Sequence, residues 1–333
     1  MAVTTKDLYV TKTGMPIDTS HAFFNIPGIS KVFPTIRVRS YHRLQDALTG
    51  GIIDAQEKLM LFTVGDATIS IPIKQIAFHH VAQGRYKNLE WAAAFCACCN
   101  MGTAFKPIID GNVHHFGATG VYHGMAIMRD KETGSYWEHA IGECIHGKLR
   151  GRQLETISAQ YLLAEHLLET IPSALLATAN QSWFQRLLDR LMMKDFLTPE
   201  GHMPKPFRLS MGKIDKRLPE MQLGLGVWIN GKARFYSTQT IRAHGNALID
   251  TLSQEKLLIY IDPTTHVPAA HRSAASSFAW EGNTLVLDTG ERIINGFAQK
   301  DSSERRPLDA PEHQFVRWFA FAFKFPDCDT YGN

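Results

Sequence analysis

Val64-Gly65-Asp66-Ala67-Thr68-Ile69-Ser70-Ile71-Pro72-Ile73 is echoed by Asn230-Gly231-Lys232-Ala233-Arg234-Phe235-Tyr236-Ser237-Thr238, with Gly65 opposite Gly231 at an offset of 166 residues. Each stretch reads as an apolar strand that turns at Gly-Asp or Asn-Gly into an alternating strand, the pattern of a β-hairpin. At the same offset Glu90-Trp91-Ala92-Ala93-Ala94-Phe95 meets Lys256-Leu257-Leu258-Ile259-Tyr260-Ile261, so Cys96 falls opposite Asp262 and Cys99 opposite Thr265. Ile109-Asp110-Gly111-Asn112-Val113 and Trp280-Glu281-Gly282-Asn283-Thr284 offer a further matching turn, and Asp130-x-x-Thr133-Gly134 answers Asp288-Thr289-Gly290. The expected fold is α+β, mainly β: a duplicated antiparallel β framework of two similar halves with a few packed helices.

Outward from these hairpins, residues 1–59 read as an N-terminal extension packed on the core and 60–178 as the first β repeat with a helix. Residues 179–219 read as a helix and linker, and 220–333 as the second repeat with a C-terminal helix. Ser158 is a candidate cap for a helix over 159–170 that Pro172 ends. Trp183, Leu187, Leu188, Leu191 and Met192 form a stripe that predicts a helix over 180–193. Phe315, Trp318, Phe319, Ala322 and Phe323 predict another over 312–323. Prolines 199, 204 and 206 mark 198–216 as a connector.

The chain has 333 residues, 44% hydrophobic and 20% charged, with 35 Lys and Arg against 32 Asp and Glu. That composition suits a large globular core. The basic residues are scattered, which argues against nucleic acid or an anionic membrane as a partner. The start, Met1-Ala-Val-Thr-Thr-Lys-Asp7, lacks the basic and apolar regions of a secretory leader, and no run of about 18 apolar residues occurs. A cytoplasmic protein is expected, and an odd cysteine count with four clustered thiols fits reduced cysteines there.

Chemistry concentrates between Phe95 and His146, which hold four of the five cysteines and five of the fifteen histidines. Cys96-Ala97-Cys98-Cys99 precedes Asn100-Met101-Gly102, so the Cys-x-x-Cys pair belongs on a turn between strands, where both sulfurs can reach one ion. A redox dithiol of thioredoxin type would instead open a helix. Cys144 and Cys328 read as buried small hydrophobes.

The same residues carry a resemblance that spans roughly 60–331. Phe95-Cys96-x-x-Cys99-Asn100-x-Gly102-Thr103-Ala104-Phe105, Phe116-Gly117-Ala118-Thr119-Gly120, Asp130-x-x-Thr133-Gly134-Ser135-x-Trp137 and Gly142-Glu143-x-x-x-Gly147-x-x-x-Gly151-x-x-Leu154 resemble successive motifs of the "domain of unknown function 3179" family. The ending Trp318-Phe319-Ala320-Phe321-Ala322-Phe323-x-x-Pro326-Asp327-x-x-x-Tyr331 does so too. The resemblance implies no activity. Many members begin with an export or lipoprotein signal, and none is expected here. Where the family commonly has Asn this chain has His123, and around Trp137 it reads Trp137-Glu138-His139. Both places add imidazoles beside the thiols.

If the strands after the cysteines return in an antiparallel meander, His115 and His123 can face Cys96 and Cys99, with Met125 on the face of His123. That donor set, Cys96, Cys99, His115 and His123, suits copper, with zinc or iron as alternatives. His139 and His146 are weaker candidates, and His79-His80 could approach the same pocket. Tyr122, Trp137 and Met125 are expected to wall a pocket for a small organic substrate.

Three functions remain open: a copper-dependent oxidoreductase, a non-catalytic protein with structural zinc or a metal-carrier role, and a cysteine-nucleophile enzyme. The last would use Cys98 or Cys99 with His123 or His139, oriented by Glu138 or Glu143. Cys98, His139 and Glu138 are the candidate catalytic residues. No phosphate loop, dinucleotide fingerprint or serine elbow stands in the right setting. Composition leaves the oligomeric state open.

Overall fold

The strands Lys58–Val64 and Ala67–Pro72 close a hairpin at Gly65-Asp66, and Leu223–Ile229 and Lys232–Ser237 close its counterpart at Asn230-Gly231. Gly65, Asn230 and Gly231 have φ of 63°, 48° and 77°, the left-handed backbone that glycine and asparagine tolerate and that matches strand twist. In the computed structural model, residues 8–332 are described except 19, 21, 158, 180–186, 188–190 and 302–304. Among them the protein is mainly β with a few helices, and its larger sheets form a six-bladed β-propeller.

The first three blades are built on the hairpin of Lys58–Val64, on Val81–Tyr86, Leu89–Cys96 and Met101–Lys106, and on the four strands from Phe116–Tyr122 to Cys144–His146. The second three are built on the hairpin of Leu223–Ile229, on the three strands from Ala247–Leu252 to Pro268–Arg272, and on the five from Phe278–Glu281 to Arg306–Pro307. Ile36–Val38 and His42–Arg43 add outer strands to the second and first blades.

Both halves close in the same way. After the third blade, Gln160–Leu163 returns to pair antiparallel with Lys58–Val64, the helix Ala164–Thr170 follows, and Leu175–Leu176 pairs parallel with Ala67–Pro72. After the sixth, Glu312–Arg317 pairs antiparallel with Leu223–Ile229, the helix Trp318–Lys324 follows, and Asp329–Thr330 pairs parallel with Lys232–Ser237.

Those returns correct two sequence expectations. The helices predicted over 159–170 and 312–323 each begin as a strand, because their first residues meet the open edge of a hairpin laid down over 80 residues earlier. Such a partner is invisible to local periodicity. The candidate cap Ser158 and most of the predicted helix over 180–193 lie outside the described residues. The turn match also needs adjusting: Asp110-Gly111 joins a separate two-stranded ribbon, Ile108–Ile109 with Asn112–Val113. In the third blade the place of Gly282-Asn283 is taken by His123-Gly124, which joins Phe116–Tyr122 to Met125–Asp130.

Residues from all six blades, among them Tyr161, Thr156, Ile141, Gln314, Ala269 and Leu308, line a cavity of about 820 Å³. The C-terminal helix lies against the fourth blade so closely that a Cβ on Gly226 would sit 2.1 Å from the Phe321 ring. Gly226→Ala is therefore expected to destabilise the fold by about 1–3 kcal/mol, the usual cost of overpacking, as read by denaturant midpoint. A wild-type midpoint would show that the helix can slide away. No described helix is long and apolar enough to cross a membrane.

Candidate metal centre

Cys96 is the last residue of Leu89–Cys96, and Asn100, at φ 56°, bends the chain back into Met101–Lys106. The Cys-x-x-Cys pair thus rides on the turn the sequence indicates. His139 comes from the next blade, one residue past the strand Tyr136–Glu138. Its ring meets the turn: one donor atom from each of Cys96, Cys99 and His139 lies within 4.8 Å of the others, and Cys99 Sγ is 3.7 Å from His139 Nε2. All three residues are buried.

Ala126 holds two members of this set. Its carbonyl is 2.8 Å from His139 Nδ1 and accepts that ring's N–H, so the Nε2 lone pair faces the sulfurs. Its own N–H donates to Cys96 Sγ at 3.5 Å. Fixing the tautomer through the far nitrogen is how proteins orient imidazoles toward metals.

The electrostatics single out one sulfur. Burial pushes the Cys96 thiol up, but the neighbouring Cys98 and Cys99 side chains, with His139 and His80, more than offset it and hold it well below the usual thiol range. Burial, together with the adjacent Cys96 sulfur, pushes Cys98 and Cys99 well up. Burial also keeps the His80 ring from protonating, its Nδ1 lying 3.1 Å from the Phe95 carbonyl. Burial opposes ionisation of Glu138 as well. The Lys324 ammonium at 3.2 Å, His139 and the N–H groups of Ile141 and Ala140 more than offset it and hold the carboxyl below its usual range.

The second repeat shows what such a turn needs when chemistry is absent. There Asp262 Oδ1 accepts from the N–H of Thr264 and Thr265 at 3.1 and 2.8 Å and from the Thr265 hydroxyl, an Asx turn complete in itself. Thiols are poor acceptors for that task. Their presence in the first repeat has another cause.

Of the other residues suggested by sequence, Cys98 is buried against Cys96, and Met125 packs in the same apolar cluster. His115 does not join the site. It lies between the strands Asn112–Val113 and Phe116–Tyr122, is half exposed, and its Nδ1 lies 2.7 Å from Glu132. His123 does not join it either: it sits in the turn itself, at φ 47°, its ring stacked on Phe323 at 3.5 Å and its Nδ1 accepting from Gly212 N–H at 3.2 Å.

Tyr122 and His123 line a separate cavity of about 450 Å³. Trp137 is buried in the middle of its strand, donates to Asp130 at 2.9 Å and lines neither of the two cavities. His146 stacks on Phe24. Glu143 accepts from Tyr9 and from Lys12 N–H, remote from the imidazole it was to orient. His114, Asp130 and Glu132 form a second cluster of possible ligands, but Asp130 already accepts from Thr133 and Trp137 and serves its turn.

Sequence reading missed Ala126 and Lys324. Nothing in their local sequence sets them apart, since each acts through contacts with other elements of the fold.

All five cysteines are buried and unpaired. Native protein is expected to react with a thiol reagent such as dithionitrobenzoate far more slowly than unfolded protein, which should expose all five. A fast native phase would restore the nucleophile reading.

Over residues 30–328 the chain matches the model of a family described as "Protein of unknown function (DUF3179)". No curated protein and no solved structure matches it.

Proposed function

This chain belongs to the domain of unknown function 3179 family, and from that premise we propose that it is a copper-dependent oxidoreductase acting on a small organic molecule. The ion is held by Cys96, Cys99 and His139. The observation that carries this reading is the convergence of two sulfurs and an oriented imidazole nitrogen within 4.8 Å. Two thiolates and an imidazole are soft donors that favour copper or zinc over magnesium or calcium. A framework of this size does not need a metal to form its core.

Three protein donors leave a coordination position open. The cavity of about 820 Å³ is lined in part by Gly102, Thr103 and Ala140, chain neighbours of the ligand-bearing segments, and would hold the organic molecule on that side of the turn. The ion supplies one-electron redox chemistry. The protein supplies the dry surroundings, the fixed His139 tautomer and the adjoining space. Five unpaired thiols suit a reducing compartment such as the cytoplasm.

One observation favours a second reading, structural zinc: Cys98 also reaches Cys96 and could close the site as a fourth ligand. Elemental analysis of purified protein, followed by electron paramagnetic resonance after oxidation, separates the two. Near-stoichiometric copper with an oxidisable signal supports the enzyme. Stoichiometric zinc, with unfolding on chelation, overturns it.

A further inference from the structure

Gln314 lies on the strand Glu312–Arg317 and lines the cavity of about 820 Å³. Its Nε2 donates to the Thr103 hydroxyl at 3.2 Å and to the Ala140 carbonyl at 2.9 Å, and the Thr103 hydroxyl itself donates to that carbonyl at 3.0 Å. These bonds decide which way the amide faces. A flipped group would set its oxygen against the Ala140 carbonyl, two acceptors with no proton between them. Both N–H groups are thereby used, and Oε1 has no hydrogen-bond partner among the described residues.

Tyr260 lines the same cavity from the strand Glu255–Ile261, and its hydroxyl is likewise without a partner. Gln314 is only 8% exposed and Tyr260 1%, so bulk solvent serves neither atom. Buried polar atoms left unpaired are costly, and a cavity occupant that pairs them recovers that cost. Oε1 can only accept. Burial pushes the Tyr260 phenol well up, so it keeps its proton and has one to donate.

The rest of the wall narrows the occupant's chemistry. Trp228 and Phe325, with ring centroids 5.0 Å apart, and Phe315 offer aromatic faces. Glu143, Glu155, Asp262 and Glu312 line the cavity against one ammonium, that of Lys12, so an anionic occupant meets a surplus of like charge. A carboxylate also has no proton to give Gln314.

Resting on the reading that this cavity holds the organic molecule, we propose that Gln314 and Tyr260 determine which one: a small uncharged aromatic compound that gives an N–H or O–H to Gln314 Oε1 and accepts the Tyr260 O–H, with carboxylates rejected. Ala140 follows His139, so the amide that reads the substrate is tied to the segment bearing the imidazole ligand.

The test measures binding to the full chain as purified, by isothermal titration calorimetry, with three related probes. Benzamide donates and accepts, N,N-dimethylbenzamide only accepts, and benzoate is an anion that only accepts. The cavity leaves room for the two added methyl groups. Wild type is expected to bind benzamide about tenfold or more tightly than either of the others, because each of them leaves the buried Gln314 oxygen unpaired. Equal affinities, or tighter binding of benzoate, overturn the proposal.

Gln314→Met fills similar space without the oxygen and should bring the ratio of benzamide to dimethylbenzamide affinity close to one. A preference that survives it overturns the proposal. Tyr260→Phe removes a single unpaired oxygen, so the denaturant midpoint should hold or rise while benzamide binding weakens several-fold. Unchanged binding in that variant overturns the proposal as well. The wild-type ratios and Tyr260→Phe decide the matter even where Gln314→Met fails to fold. A wild type that binds none of the probes defeats the cavity as the substrate's place, and this inference with it. Binding without discrimination defeats only the inference, and neither result bears on whether Cys96, Cys99 and His139 hold a metal.

Discussion

Cys96→Ser is expected to lower metal affinity by about 100-fold or more, beyond the 10- to 100-fold that loss of an outer hydrogen-bond partner typically costs. Cys96 is the sulfur on which the site converges. It has two thiols as neighbours and accepts from Ala126 N–H, and it is the donor already disposed to be an anion. Serine offers a harder oxygen that stays protonated. Cys328→Ser is the control, since that thiol shares the apolar cluster but is not among the converging donor atoms, and its burial pushes it up to about 11. Metal per chain, measured by mass spectrometry after gel filtration, checks both. Equal loading of the two variants would show that the turn does not hold the ion.

Lys324→Met should produce the largest loss of stability, about 3–5 kcal/mol, because it leaves Glu138 charged and buried without its cation. Both members are essentially inaccessible to solvent, and the ammonium also touches Met101 Sδ at 3.0 Å. Adding Glu138→Gln should recover most of the loss, since removing both charges spares the fold an unpaired one. Denaturant midpoints of the two single variants and the double variant form the test. A double variant that is no better than Lys324→Met alone would refute the pairing.

The sign with pH follows from Glu138, whose folded carboxyl lies below its unfolded value. Its contribution is complete above the ordinary carboxylate range and disappears as pH falls through the folded value. Wild type should therefore keep this contribution until pH falls below the ordinary carboxylate range. With Lys324 gone, the largest of the influences that lower that carboxyl is gone too, and the loss should begin at a higher pH.

Much of the framework was legible because hairpins announce themselves locally. Gly65, Asn230 and Gly231 occupy positive-φ positions that few residues tolerate, and the alternation beyond them is short-ranged. Cys96 and Cys99 were legible for the same reason, being spaced around a turn. Their imidazole partner was harder. Counting alternate residues put His123 beside them, but that position is the corner of its hairpin, where the side chain leaves the ladder. His139 reaches the sulfurs because the third blade is rotated onto the second, an angle set by the whole ring. The closing strands, Gln160–Leu163 and Glu312–Arg317, were misread as helical for a related cause: each has its partner in a hairpin that began its half.

That closure has a consequence for biosynthesis. Lys324 contacts Met101 across 223 positions of chain, and Asn100 reaches the Phe315 carbonyl across 215. While the ribosome is still translating the sixth blade, the cysteine turn already exists, but Lys324 does not. A prematurely terminated product would keep both thiols and the imidazole yet leave Glu138 without its cation. Settled packing around the thiols should therefore come only when translation has run to completion.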